Sequence, residues 1–145
     1  ILSGEDLVRA ICHYHQRPIP RFDAIAVLHK ILNQQNHPTD FPVSGMDSSD
    51  GLADAIAQIC RASKVGAKIH WRSLPIHRAV RTLAGDHALE WVLYGGEDFE
   101  LVLCMPLSLA EKFVNQLSGA VIIGEIIDGD RIDGLEMRST FQHFS

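Results

Sequence analysis

The sequence predicts an α/β (α+β) fold in which helices pack on a mixed β-sheet, and three observations carry that expectation. Apolar residues recur at helical spacing in several stretches, most fully between positions 52 and 60. Other stretches, clearest at 99–105, place apolar residues at every second position, as strands do. The two kinds of segment alternate irregularly along the chain, with no internal repeat and no low-complexity linker, which calls for layers of helix against sheet. The 145 residues are expected to form a single domain, long enough to bury about two-thirds of the surface of the unfolded chain.

Taken in order, Ser3-Gly4-Glu5-Asp6 caps a first helix with Ser3 as N-cap, and Leu7, Ile11 and Tyr14 continue it. The prolines of Arg17-Pro18-Ile19-Pro20 end it in a rigid extended segment. A second helix covers Asp23 to Asn33 with Ile25, Leu28 and Leu32 on one face, and Asn36 to Pro42 is a loop. Val43 to Met46 reads as a short strand. The helix after it runs from Gly51 to Lys64, with an apolar stripe of Leu52, Ala55, Ile56, Ile59 and Cys60, and Gly66 supplies a left-handed C-cap. Ala67 to Trp71 alternates as a strand. Two helices follow, His77 to Ala84 and Ala88 to Leu93, the first ended by Gly85. Phe99 to Met105 is the clearest strand, and Pro106 opens a helix through Leu117 at the favoured N1 position. Ala120 to Ile127 reads as a buried strand, Asp128-Gly129-Asp130 as a tight hairpin-like turn, Ile132 to Met137 as an edge strand and Thr140 to Ser145 as a tail.

Composition narrows the function. Apolar residues make up 46% and charged residues 21% of the chain, as in ordinary globular domains. The net charge is −5 and no basic run follows a nucleic-acid backbone. No apolar run approaches the roughly 20 residues that span a bilayer, and no secretory signal pattern is present. Cys12, Cys60 and Cys104 are odd in number and far apart, and read as buried free thiols in a reducing compartment. The histidines form no H-x-x-x-H pair and the cysteines no C-x-x-C pair, which argues against zinc.

Chemistry concentrates in Ser44-Gly45-Met46-Asp47-Ser48-Ser49-Asp50-Gly51-Leu52, where a strand hands over to a helix. Such a turn exposes backbone N–H groups at the positive end of a helix dipole, which suits phosphate. Asp47 and Asp50 suit phosphate only with a cation between them. Two readings stand. Asp50 or Ser49 caps the following helix, or the two acids hold a metal. A second turn, Tyr94-Gly95-Gly96-Glu97-Asp98, is open to two readings as well, a solvated turn or a place where a ligand approaches the backbone. Glu100 pairs with a base or points to solvent. Arg17 and Arg21 form salt bridges or touch phosphate, and Phe141, His143 and Phe144 dock the tail or contact a ligand.

Together, Met46-Asp47-Ser48-Ser49-Asp50-Gly51-Leu52, Gly95-Gly96-Glu97-Asp98-Phe99-Glu100-Leu101 and Phe141-Gln142-His143-Phe144 resemble the C-terminal half of thiamine-monophosphate kinase. That family has M-D-x-S-D-G-L, then G-G-E-D-[YF]-E-L, then an aromatic-x-His-Phe end. Arg17-Pro18-Ile19-Pro20-Arg21, Gly66-Ala67 and Leu74-Pro75 are similar to it too. The resemblance covers essentially the whole chain and implies a domain like the C-terminal one of the aminoimidazole ribonucleotide synthetase-like proteins. It implies transfer of the γ-phosphoryl of ATP to thiamine monophosphate, Mg²⁺ held by Asp47 and Asp50, Ser49 touching ATP, and Glu97 and Phe141 contacting thiamine monophosphate. Family members often have Tyr where Phe141 stands, so stacking is the role left to Phe141. The resemblance further implies a homodimeric, cytoplasmic full-length enzyme. The family's N-terminal ATP-binding and dimerisation half, with its Gly-Asp-Asp segment, is absent from these 145 residues. The chain is therefore expected to be a C-terminal domain with little activity alone. Two alternatives remain: another synthetase or maturation enzyme of the same superfamily, against which G-G-E-D-F-E-L argues, and a non-catalytic interaction domain that keeps its acids for fold reasons.

Overall fold

A computed structural model describes residues 4–34 and 43–135. Ser3, the 36–42 loop, the end of the last expected strand and the tail with Phe141 lie outside the described residues. Helix α1 (Gly4–Gln16) has Glu5 and Asp6 in its first turn and His13 and His15 in its last, the polarity that the helix dipole favours. Helix α2 (Phe22–Asn33) buries Ala24, Leu28 and Ile31. This face is turned by one residue from the expected Ile25-Leu28-Leu32 stripe, because it must meet Leu109, Phe113 and Leu117 of the α6 segment (α6, Leu107–Gln116, and its C-cap). Pro106 is the N-cap of α6, one position before the expected N1.

Helices and mixed strand pairing are present as expected, but the strands divide between two sheets. β1 (Ser44–Asp47) pairs antiparallel with β3 (Leu101–Cys104), Asp47 standing opposite Leu101. β3 is shorter than expected, so Phe99 and Glu100 lie in the turn before it. The second sheet has the order β4-β2-β5, with β2 (Gly66–Ile69) antiparallel to β4 (Gly124–Ile127) and parallel to β5 (Ile132–Asp133). Asp128-Gly129-Asp130 is therefore not a hairpin turn. It carries the chain across the end of β2, from one flank to the other. Along this crossover the Arg131 carbonyl accepts the Ala67 N–H at 3.0 Å and lies where a Cβ of Gly66 would be. Gly66 is thus a close-approach residue within β2, and the left-handed C-cap of α3 (Leu52–Ser63) is Lys64, at φ 55° and ψ 45°. Only the end of the apolar stretch 120–127 forms β4. Val121 and Ile122, which precede β4 outside the sheet, and Ile126 on this edge strand are exposed.

Helix α3 joins the two sheets, touching β1, β2 and β3 as well as α5 (Ala88–Tyr94). Its Ala53, Ile56 and Cys60 form a core with Ala67, Ile69, Leu74 and Leu93. Helix α4 (Arg78–Ala84) begins at His77, whose Nδ1 accepts the Ala79 N–H at 3.2 Å. Of the three cysteines Cys60 is buried and Cys104 half-buried, while Cys12 is exposed on α1, contrary to the expectation of three buried thiols. No helix among the described residues is long and apolar enough to cross a membrane.

Candidate functional site

β1 ends at Asp47 and α3 begins at Leu52, so four residues make the turn between them. Asp47 Oδ1 accepts the Ser49 hydroxyl at 2.7 Å and the Ser49 N–H at 3.3 Å, which folds the turn on itself. The Gly51 N–H then donates to the Ser48 carbonyl at 2.9 Å. Gly51 adopts φ 103° and ψ 152°, a conformation closed to residues with a side chain, and a Cβ there would meet the Leu93 carbonyl at 3.2 Å.

The capping reading of Ser49 and Asp50 does not hold. Gly51 is the N-cap of α3 and no side chain caps the helix. The first intrahelical bond is Ala55 N–H to the Gly51 carbonyl at 3.1 Å, so the N–H groups of Leu52, Ala53 and Asp54 lie ahead of it at the positive end of the dipole. Asp47 and Asp50 are exposed beside them, and Ser49 is half-buried.

The Gly95–Glu100 segment lies directly against this turn. The Glu97 N–H donates to the Ser49 carbonyl at 2.6 Å, and the Ser48 N–H donates to the Glu100 carbonyl at 2.9 Å. Gly96 sits so close that a Cβ would be 3.0 Å from the Ser49 carbonyl oxygen. Glu97 itself is left-handed at φ 67°, a region that residues with side chains seldom occupy. The Glu100 N–H turns back to the Asp98 carbonyl. Asp47, Ser49, Asp50 and Glu97 thus belong to two turns bonded to each other, while Phe141 lies outside the described residues.

Charge around the second turn is partly matched. Arg21 forks onto Asp23, with Nε to Oδ1 at 3.0 Å and Nη2 to Oδ2 at 3.1 Å, and its Nη1 meets Glu100 Oε2. Both open readings are thereby resolved toward ion pairing, for Arg21 and for Glu100. The Arg21 guanidinium holds the Asp23 carboxyl below its usual range, and the Arg21 pKa rises in turn, first through its bond to Asp23. Burial pushes the Asp98 carboxyl up, the Glu100 charge adds to this, and His15 opposes it. Two residues carried signals too faint to use in advance: the first serine of the Asp-Ser-Ser-Asp run, Ser48, proves to be buried, and Arg21 reaches a partner 79 residues away.

This turn carries two exposed carboxylates, one of them bonded to Ser49, at the N-terminus of a helix with no side-chain cap, groups that suit a polyphosphate shared with a cation. Residues 24–135 match the family described as AIR synthase related protein, C-terminal domain, and the chain belongs to that family. Over 140 residues it is 43% identical to a thiamine-monophosphate kinase of Synechococcus elongatus, covering 90% of this chain and 41% of that protein. Its fold matches AaThiL complexed with AMPPCP and TMP at a TM-score of 0.69 and 25% identity, over 87% of this chain and 37% of the other. A thiamine-monophosphate kinase structure from Stenotrophomonas maltophilia K279a matches at a TM-score of 0.58 and 32% identity, over 62% and 30% respectively. The chain spans less than half the length of each of these relatives.

Proposed function

We propose that this chain is the C-terminal domain of an ATP-dependent kinase that phosphorylates thiamine monophosphate to thiamine diphosphate. The observation that carries the reading is the 2.6 Å bond from the Glu97 N–H to the Ser49 carbonyl, which ties the Glu97 turn to the Asp47–Asp50 turn in a chain so similar to such kinases. In this reading Asp47 and Asp50 hold Mg²⁺, Ser49 touches ATP, and Glu97 and Phe141 contact thiamine monophosphate. An N-terminal domain completes the nucleotide site, and the full-length protein is a cytoplasmic homodimer.

The donor set fits Mg²⁺. Among the described residues no group of three or more metal-ligating side chains forms a cage, and Mg²⁺ is commonly held by one or two carboxylates together with substrate phosphates and water. Asp47 keeps one oxygen for this after bonding Ser49, and Asp50 makes no hydrogen bond or ion pair among the described residues. When bound, the ion would neutralise the charge that builds up as two phosphates are joined.

The chain's own groups do the rest. The N-terminus of α3 presents N–H groups to the phosphates without reorganising. No general base is required, since the acceptor is a phosphate oxygen already ionised at neutral pH. The Glu97 carboxylate complements the cationic, amine-bearing acceptor, and the Phe141 ring stacks on its flat heterocycle.

The test is expression of the natural open reading frame that encodes residues 1–145, assayed for thiamine diphosphate with ATP and thiamine monophosphate. Turnover that requires Mg²⁺ is expected from the complete protein, and little from residues 1–145 alone. No product from the complete protein, with turnover of another acceptor of the superfamily, would replace the kinase reading. Robust turnover by residues 1–145 alone would remove the need for a second domain.

A further inference from the structure

Ser48 is the polar residue that the described structure buries, at 3% exposure, whereas serine ordinarily stays at the surface. It lies between Asp47 and Ser49, one step beyond the end of β1. Its hydroxyl is shared between two carbonyls of the opposite turn, Asp98 at 3.2 Å and Glu100 at 3.3 Å. The residue therefore bonds across the gap twice, through its hydroxyl and through its N–H to the Glu100 carbonyl.

We propose that Ser48 is a positioning residue that sets Glu97 against the Asp47–Asp50 turn, and so governs capture of the phosphoryl acceptor more than capture of the nucleotide. The inference rests on the kinase reading above and adds a residue to it. The Ser48 hydroxyl bridges the carbonyls of Asp98 and Glu100, and Glu97, held in its left-handed conformation, is the residue immediately before that segment. A conformation of this kind persists only where the surroundings over-determine it.

Removing the hydroxyl loosens one side of the site alone. Asp47 is fixed by its register with Leu101 and by its bond to Ser49, neither of which uses the Ser48 hydroxyl. The carbonyls are not orphaned either, because Glu100 keeps the Ser48 N–H and Asp98 keeps the Glu100 N–H. The cost to folding is accordingly small and the effect falls on the placement of Glu97.

The test uses Ser48→Ala and Ser48→Thr in the complete reading frame. Loss of one shared hydrogen bond is expected to raise the KM for thiamine monophosphate about fivefold in Ser48→Ala, with kcat and the KM for ATP within about twofold of the parent. Ser48→Thr keeps a hydroxyl and is expected to restore the parent KM. Hydrogen exchange at the Glu97 amide, which needs no activity, is expected to be about fivefold faster in Ser48→Ala. An unchanged acceptor KM, or equal rises for both substrates, overturns the proposal. Should the parent make no thiamine diphosphate, the kinase reading falls, and the exchange measurement alone decides whether Ser48 holds the turn. An unchanged Glu97 exchange rate then overturns the positioning role.

Discussion

The turns at Asp47–Gly51 and at Asp128–Asp130 have the same ingredients. Each carries two exposed aspartates and a glycine at positive φ, 103° in Gly51 and 96° in Gly129, and each follows a strand. Their surroundings differ. The first is folded by Asp47 onto Ser49, backed by the buried Ser48, bonded to the Glu97 turn and followed by the 12-residue helix α3. The second carries the chain across the end of β2, and a Cβ on Gly129 would meet nothing within 4 Å. Acids beside a glycine therefore do not make a site. In the proposed reading, a second turn holding them against a helix N-terminus does, because fixed dipoles and carboxylates can then act on one ligand.

The largest effect should separate the turns by activity. In the complete reading frame, Asp47→Asn and Asp50→Asn are each expected to lower Mg²⁺-dependent turnover by about 100-fold or more, since even neighbours of metal ligands cost 10–100-fold. Asp128→Asn and Asp130→Asn should leave it within about twofold. Equal losses at both turns would break the comparison.

Next in size is stability. Gly51→Ala forces a side chain into a conformation that glycine alone adopts comfortably and sets a methyl against the Leu93 carbonyl, at a cost of about 1–3 kcal/mol. Gly129→Ala meets open space and should cost about 1 kcal/mol. Denaturant midpoints of the two variants measure the difference.

A smaller effect concerns pH. The Asp98 carboxyl lies above its usual range in the folded protein, by burial and by the charge of Glu100. Its ionisation therefore weakens the fold above the ordinary carboxylate range, and this weakening is absent below the unfolded value. Asp98→Asn should be more stable than the parent at neutral pH, and the gain should vanish as the pH falls below the carboxylate range. A gain that persists in acid would exclude this cause.

The smallest effect compares the sheets beneath the two turns. Cys104 on β3 is half-buried, while Cys60 packs against Ala67 and Ile69 of β2. Burial pushes both thiols up. A thiol reagent is expected to label exposed Cys12 first, then Cys104, then Cys60, and labelling of Cys60 ahead of Cys104 would mean that the larger sheet opens first.

Local pattern was enough to place the helices. The stripe from Leu52 to Cys60 gave α3 within a residue at each end, and the Pro18-Pro20 segment separated α1 from α2. It also drew notice to the turns that carry Asp47, Asp50 and Glu97, because carboxylates and glycines crowded into a turn are visible without coordinates, but their roles came from the family resemblance and not from local pattern. Pattern failed where a residue answers to something distant. Gly66 looked like a helix cap and is a strand residue crowded by the Arg131 carbonyl, and Asp128-Gly129-Asp130 looked like a hairpin because sequence does not reveal that β2 lies between the strands it joins.

The sequence by itself therefore determined which residues are candidates for chemistry and which segments are helical, since charge, glycine content and periodicity are properties of neighbours along the chain. Tertiary structure alone decided that the strands form two sheets, that Arg21 reaches Glu100, and that Ser48 spends its hydroxyl on carbonyls some fifty residues away. Those outcomes depend on which backbones meet when apolar faces are buried, and a hydroxyl's partner is fixed only once that packing has brought the two turns together.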